Sequence, residues 1–249
     1  MAEAGNGVFG GRARSVELLW GRREPPKRGP KPGLSVEVIV RTAIAIADAE
    51  GLPAFSMQRV AGEFGFTTMS LYRYVPGKTE LIDLMIDTAL GPPPDLAEYP
   101  DWRTKLEVWA GELHEVYHRH LWVARAVTDD RLMGPNELAW VEAAARALLG
   151  TGLTGGETTD AVRVVSSHVR SWAQYSADMA GDAGMTGRQW GAAIAALIEE
   201  HSADYPALAE AMRSGAFGPV DGSGPQFGLR CVLDGIGVRI AERRGGSTG

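Results

Sequence analysis

From Ser35 onward the apolar positions recur at intervals of three and four, the spacing of one face of a helix. Val36, Ile39, Ala43, Ile46 and Ala47 form the first such face. Ser35 is placed to cap that helix, Glu37 suits its first turn, and Gly51 stops it. Ser56 caps a short second helix carrying Val60, Ala61 and Phe64, closed by Gly65. Thr67 is expected to cap a third, from Thr68 to Tyr74. After Pro76-Gly77 a fourth helix runs from Lys78 to Leu90, with Leu81, Met85, Thr88 and Ala89 on one face. Gly91-Pro92-Pro93-Pro94 ends it, because proline lacks the amide donor and its ring clashes with the preceding turn.

The pattern stays helical beyond this triplet. Asp101 opens a helix to about His120, and Leu121–Val127 continues as a short separate one. Pro135 stands at a first helical position for a segment ending at Leu149-Gly150. Thr154 with Glu157 has capping-box spacing for a long helix to about Ala180, and Thr186 with Gln189 repeats it for one to about His201. Gly215 to Pro225 is a connection rich in Gly, Pro and Ser, followed by a last helix from about Gln226 to Arg243 with Phe227, Cys231, Ile236 and Ile240 as its apolar positions. No strand-like alternation of useful length appears. The predicted fold class is all-α: an N-terminal helix-turn-helix domain over 34–91, then a larger helical domain over 92–249.

The first 33 residues depart from this pattern. They are rich in Gly, Pro and Arg and carry seven cations against Glu3, Glu17 and Glu24, in a chain whose net charge is −6. Too little apolar surface is available there to offset ordering entropy, so 1–33 reads as a disordered basic arm on an acidic body. Cys231 is the only cysteine, which excludes an intrachain disulfide and a thiolate zinc site. Neither a secretory leader nor an apolar run long enough to cross a membrane is visible, so a cytoplasmic protein with no membrane partner is expected.

Two short helices joined by a glycine turn are what a helix-turn-helix requires, the second entering the major groove of DNA. Here Val60, Ala61 and Phe64 are expected to pack toward Leu71 and Val75. Thr67, Thr68, Met69, Ser70, Tyr72, Arg73 and Tyr74 remain as a hydroxyl-rich, aromatic face with almost no acid. The stretch Ser56-Met57-Gln58-Arg59-Val60-Ala61, then Gly65-Phe66-Thr67-Thr68, Leu71-Tyr72-Arg73-Tyr74-Val75 and Gly77-Lys78-Thr79-Glu80-Leu81 resembles the N-terminal signature of the tetracycline-repressor family. It departs at Val75, where phenylalanine is commoner, and at Phe66, where a smaller apolar residue is usual. The resemblance covers residues 35–91 and is architectural beyond. It implies that Thr67 and Thr68 meet phosphate or base edges, that Met69, Ser70 and Gln58 reach bases, and that Tyr72, Tyr74 and Lys78 bond phosphates. The alternative for Tyr72 and Tyr74 is plain core packing.

Lys27-Arg28-Gly29-Pro30-Lys31-Pro32 looks like an AT-hook core, in which Lys27, Arg28 and Lys31 lie along a narrow minor groove beside pre-extended prolines. The bland alternative is a solubilising leader. Residues 34–91 hold only Arg41, Arg59, Arg73 and Lys78 as cations, so such an arm would supply much of the phosphate attraction.

Five of the seven tryptophans, Trp102, Trp109, Trp122, Trp140 and Trp172, lie in the helices between the proline triplet and Ala180. Trp109, Tyr117, Met133, Trp140, His168, Trp172 and Tyr175 are candidate walls of an apolar pocket for a small lipophilic or aromatic effector, His168 being the candidate polar anchor. For each residue singly, core packing is the competing reading. Of His114, His118 and His120 the first two share a helix face, as metal ligands do, but the intervening Glu115 and Arg119 suit a solvated surface and His120 points elsewhere. No nucleophile elbow, phosphate loop or paired cysteine set is present. No cofactor is expected, nor an enzyme. The helices 155–180 and 226–243 are candidates for a homodimer bundle, with Gly228, Gly235 and Gly237 marking close helix approach.

Together these features read as a homodimeric, effector-released repressor of double-stranded operator DNA. Two alternatives stay open: a ligand-independent or architectural DNA-binding regulator using the same heads and arm, and, more remotely, a helical metal-dependent enzyme built on the histidines.

Overall fold

A computed structural model describes residues 13–21, 34–127, 131–180, 187–216 and 223–245. Among these the chain is helical and holds no strand. It forms two compact units, Met1–Leu148 and Leu149–Gly249.

The first described element of the first unit is a helix where disorder is expected. Helix α1, Ala13–Trp20, buries Ser15 and Leu19 and half-buries Val16 and Leu18. The arm reading therefore fails for these residues. Averaged over 33 positions the composition is too polar to fold, but the run Ser15-Val16-Glu17-Leu18-Leu19 carries its own helical face. The basic stretch with Lys27, Arg28 and Lys31 lies outside the described residues.

Helix α2, Val36–Glu50, starts where Ser35 Oγ accepts the Val38 amide at 3.3 Å and ends at Gly51. Phe55 follows a short 3-10 turn and is fully buried. Helix α3, Met57–Glu63, is capped by Ser56 Oγ, which accepts from the Arg59 amide at 3.1 Å. The turn passes through Gly65 at φ 66, a left-handed conformation that glycine adopts without steric cost. Helix α4 is only Thr68–Leu71, shorter than the Thr68–Tyr74 expected. Residues 72–74 continue as tight turns, with the Tyr74 and Val75 amides both donating to the Leu71 carbonyl, at 2.8 and 3.0 Å. Pro76 is the cause: it disfavours helical geometry at Val75. Thr67 also departs from expectation, since its hydroxyl meets Ser70 Oγ at 3.3 Å and caps no amide.

Helix α5, Lys78–Leu90, is the spine of this unit. Leu81, Leu84, Met85, Ile86 and Leu90 are buried, while Thr88 and Ala89 are half-buried. Burial extends round the helix because α1, α2, α6 (Trp102–Arg119), α7 (Leu121–Ala126) and α8 (Pro135–Ala147) all pack on it. Asp101 caps α6 through the Arg103 and Thr104 amides, both at 2.9 Å. Asp48 of α2 accepts from Trp122 Nε1 at 2.7 Å and meets His120 Nδ1 at 2.8 Å, tying the α6–α7 corner to the first helix of the head.

In the second unit α9, Gly155–Ala180, packs most extensively on α12, Ser223–Gly245. Between them in sequence lie α10, Gly187–Glu200, and α11, Pro206–Arg213. The capping box at Thr154 forms as its spacing predicts: the Thr154 amide donates to Glu157 Oε2 at 2.9 Å and the Glu157 amide to Thr154 Oγ1 at 3.3 Å. Thr186 lies outside the described residues. Gly228 meets the approach expected of it, because a β-carbon there would overlap the His168 ring, whereas Gly235 has open space.

Candidate nucleic-acid interface and effector region

Fully buried Val60, Ala61, Leu71 and Val75 fix α3 and α4 against the unit's core. What remains outward is the surface implied by the family signature. Gln58, Thr67, Met69, Tyr72, Arg73 and Lys78 are exposed, Met69 to 72%, and Thr68, Ser70 and Tyr74 are half-buried. Phe64 stacks on Phe66, so both lie at the turn between the helices. From Phe64 to Thr79 there is no carboxylate.

The cations near this face differ in availability. Arg59 is committed within the head, to Glu50 at 2.7 Å and to Glu63, and these two hydrogen-bonded partners hold its pKa above the usual arginine value. Lys78 stays exposed, its Nζ 5.4 Å above the Phe55 ring centre. The ring face attracts the ammonium and steadies it at the start of α5. Arg73 is exposed too, and its carbonyl accepts Arg14 Nη2 at 3.0 Å.

The aromatic candidates fall into two groups. In the first unit Trp109 is 1% exposed, its Nε1 donates to the Trp140 carbonyl at 2.9 Å, and the two rings meet edge-on at 5.8 Å. Trp140 Nε1 donates in turn to the Gly91 carbonyl at 3.0 Å, where α5 ends. Tyr117 is buried, and Met133 is 40% exposed. In the second unit His168 is half-buried against Gly228, Trp172 is half-buried and Tyr175 is exposed. Trp140 lines a cavity. That space, about 460 Å³, lies at the C-terminal end of α5 and is bounded by Thr88, Gly91, Glu112, Arg119, His120 and Trp140. It is open and of mixed polarity.

Next to it lies a buried ionic junction that the sequence pattern does not announce. Gly134, at the N-cap of α8, has no side chain to offer; Asp87 of α5 supplies the cap instead. Asp87 Oδ1 accepts the Asn136 and Glu137 amides at 2.8 and 3.1 Å, and Asn136 Nδ2 returns a bond to the Asp87 carbonyl at 2.9 Å. A β-carbon at position 134 would overlap the Asp87 carboxylate, which explains the glycine. Arg131, also buried, pairs with Glu137 and stands 4.0 Å from Asp83 Oδ1. Burial pushes the Glu137 carboxyl up from its ordinary range while Arg131 opposes it. Buried charges persist where such partners compensate their lost hydration.

His114 and His118 sit with rings 6.3 Å apart, and burial pushes His114 downward. Among the described residues no group of three or more His, Cys, Asp or Glu is arranged to hold a metal ion. No described helix is long and apolar enough to cross a membrane.

Against this geometry, the profile of the tetracyclin repressor-like C-terminal domain matches residues 94–240. The HTH-type transcriptional repressor DrrR1 of Streptomyces coeruleorubidus is 39% identical over 242 residues, spanning 94% of this chain and 89% of that one. An HTH-type transcriptional regulator of Saccharopolyspora erythraea is 32% identical over 77% of this chain and 80% of its own. Among solved structures, the Streptomyces coelicolor TetR family protein ActR in complex with actinorhodin superposes with a TM-score of 0.68 at 25% identity, over 84% of this chain and 99% of ActR. Its complex with (S)-DNPA gives 0.67 at 26% identity, over 82% and 97%. The chain belongs to the tetracycline-repressor family of helix-turn-helix transcriptional regulators.

Proposed function

We propose that this repressor binds a two-fold operator as a homodimer in the cytoplasm and releases it when a flat, multi-ring effector fills the space beside α5. The observation that carries the DNA half is the carboxylate-free stretch from Phe64 to Thr79, which presents Thr67, Thr68, Met69, Ser70, Tyr72, Tyr74 and Lys78 on a buried base beside exposed Gln58. Tyr72, Tyr74 and Lys78 bond phosphates and set register, while Gln58, Met69 and Ser70 read base edges, Met69 through a thymine methyl. Lys27, Arg28 and Lys31 add minor-groove contact.

The effector half is supported by the cavity at the end of α5 and by the actinorhodin complex of ActR. Trp140 is its aromatic wall, backed edge-on by buried Trp109. His168, Trp172 and Tyr175 of α9 belong to the second unit, where His168 packs against Gly228 of α12. Because the cavity touches α5, filling it acts on the helix whose first residue is Lys78. Release requires that the effector bind the displaced arrangement more tightly than the DNA-bound one.

Selection of duplexes from a random pool, followed by release with a panel of polycyclic quinones and of sugars, tests this reading. Recovery of palindromic sites and release by the quinones alone is expected. Sites without two-fold symmetry, or indifference to every compound, would favour the ligand-independent regulator.

A further inference from the structure

Among the described residues helix α1 makes three long-range side-chain hydrogen bonds, spread along its length. At its start Arg14 Nη2 donates to the Arg73 carbonyl at 3.0 Å. One residue on, Ser15 Oγ donates to Glu80 Oε1 of α5 at 3.3 Å. At its end Trp20 Nε1 donates to the Met133 carbonyl at 3.1 Å. Buried Leu19 seats the helix against the unit, and α1 packs on α5. Eight residues at 1.5 Å each give a rod about 12 Å long, with the recognition turn at one end and the loop before α8 at the other.

We propose that α1 is a positioning strap, a second mechanical link beside α5 between the DNA-reading turn and the Arg131–Glu137 junction, with Arg14 and Trp20 as its positioning residues. This rests on the reading of residues 67–78 as the DNA face. The recognition turn needs such a tie. Helix α4 has four residues, and beyond it two amides share the Leu71 carbonyl, so little internal bonding fixes where Arg73 points. Carbonyls at a helix's C-terminal end lack internal donors and favour a cation; Arg14 supplies one to Arg73. At the other end the loop is not free either: Arg131 anchors it through Glu137 and Asp83, and Gly134 abuts Asp87. A shift of that loop therefore reaches the recognition turn along two parallel lines, α5 from Asp87 and α1 from Trp20.

The test uses Trp20→Phe, which keeps an aromatic ring at a half-exposed site while removing the indole N–H, together with Arg14→Ala. Hydrogen exchange of the full-length protein without DNA, and affinity for a duplex selected by the wild type over a range of salt, are the readouts. Trp20→Phe is expected to speed exchange of the Tyr74 and Val75 amides, at the opposite end of the rod, and to weaken duplex binding on the order of fivefold. The slope of log affinity against log salt should stay unchanged in Trp20→Phe, since no phosphate contact is lost. Faster exchange confined to residues 13–21, with wild-type exchange at 72–75 and wild-type affinity, would overturn the strap. If Arg14→Ala alone weakens binding and flattens the salt slope, Arg14 is a phosphate contact and the strap is likewise overturned. If the wild type selects no duplex while the exchange coupling holds, the DNA reading has failed and the mechanical link stands.

Discussion

Lys78 and Tyr74 test the DNA face one side chain at a time. Lys78 is exposed and held over Phe55, so Lys78→Ala should leave folding intact, weaken operator binding, and reduce the salt slope by about 0.9, one phosphate's share. Tyr74→Phe removes only a hydroxyl from a half-buried ring and should weaken binding a few-fold with the slope preserved. Fluorescence anisotropy across a salt series reads both; wild-type affinity in the two variants would remove the contact assignment. The tryptophans behave differently. Trp109 is closed into the core and bonded to the Trp140 carbonyl, so Trp109→Ala should cost about 3–5 kcal/mol by denaturant unfolding, a folding defect rather than a selective loss of effector response. Trp140→Phe should cost about 1–2 kcal/mol, because the Gly91 carbonyl loses its donor. Composition located these aromatics; which of them line space and which fill it depends on neighbours distant in sequence.

At the scale of elements, local chemistry was legible and remote chemistry was not. Ser35, Ser56, Asp101 and the Thr154–Glu157 pair cap the helices that their spacing marks, since a cap acts within four residues of itself. The cap of α8 comes from Asp87, which no local spacing connects to Gly134. Helix α11 escaped because Pro206 to Arg213 is short, although Pro206 occupies the first-turn position that would have marked it. Asp87→Ala should destabilise the first unit by about 1–3 kcal/mol, by leaving two buried amides unpaired, and Asp87→Asn should recover part of that. In the second unit the Arg243 hydrogen bonds, then the Thr154 amide, hold the Glu157 carboxyl down from its ordinary 4.5 to about 2. A depressed folded-state value stabilises above 4.5 and loses that contribution as pH falls toward 2. Unfolding of wild type and Glu157→Gln should therefore differ at pH 6 and converge near pH 2; parallel curves would deny the Glu157–Arg243 link.

For the whole molecule, the repressor class was legible because the head's signature is contiguous, whereas the contacts that would join two copies are not written as a motif. Val164 is half exposed beside a groove of about 330 Å³ between α9 and α12, which Cys231, Val232 and Ile236 also line. If these helices form the dimer bundle, Val164→Glu should give monomers in sedimentation and lose operator binding without unfolding; a persistent dimer would move the interface elsewhere. The arm requires a changed experiment. Deleting 1–33 would also remove α1, so replacing Lys27, Arg28 and Lys31 with glutamine is the cleaner probe. Weaker binding is expected, most on operators with A·T-rich flanks.

The docking of α1 has one more consequence. With α1 seated on the first unit and α2 in the same unit, residues 22–33 join two anchored points instead of trailing from one. If Lys27, Arg28 and Lys31 read a minor groove, their local concentration there is set by the length of the connection between α1 and α2. Each doubling of that length costs only about 0.6 kcal/mol in closure entropy, so insertions there should tune operator affinity gradually, as a rheostat does, and leave the heads untouched.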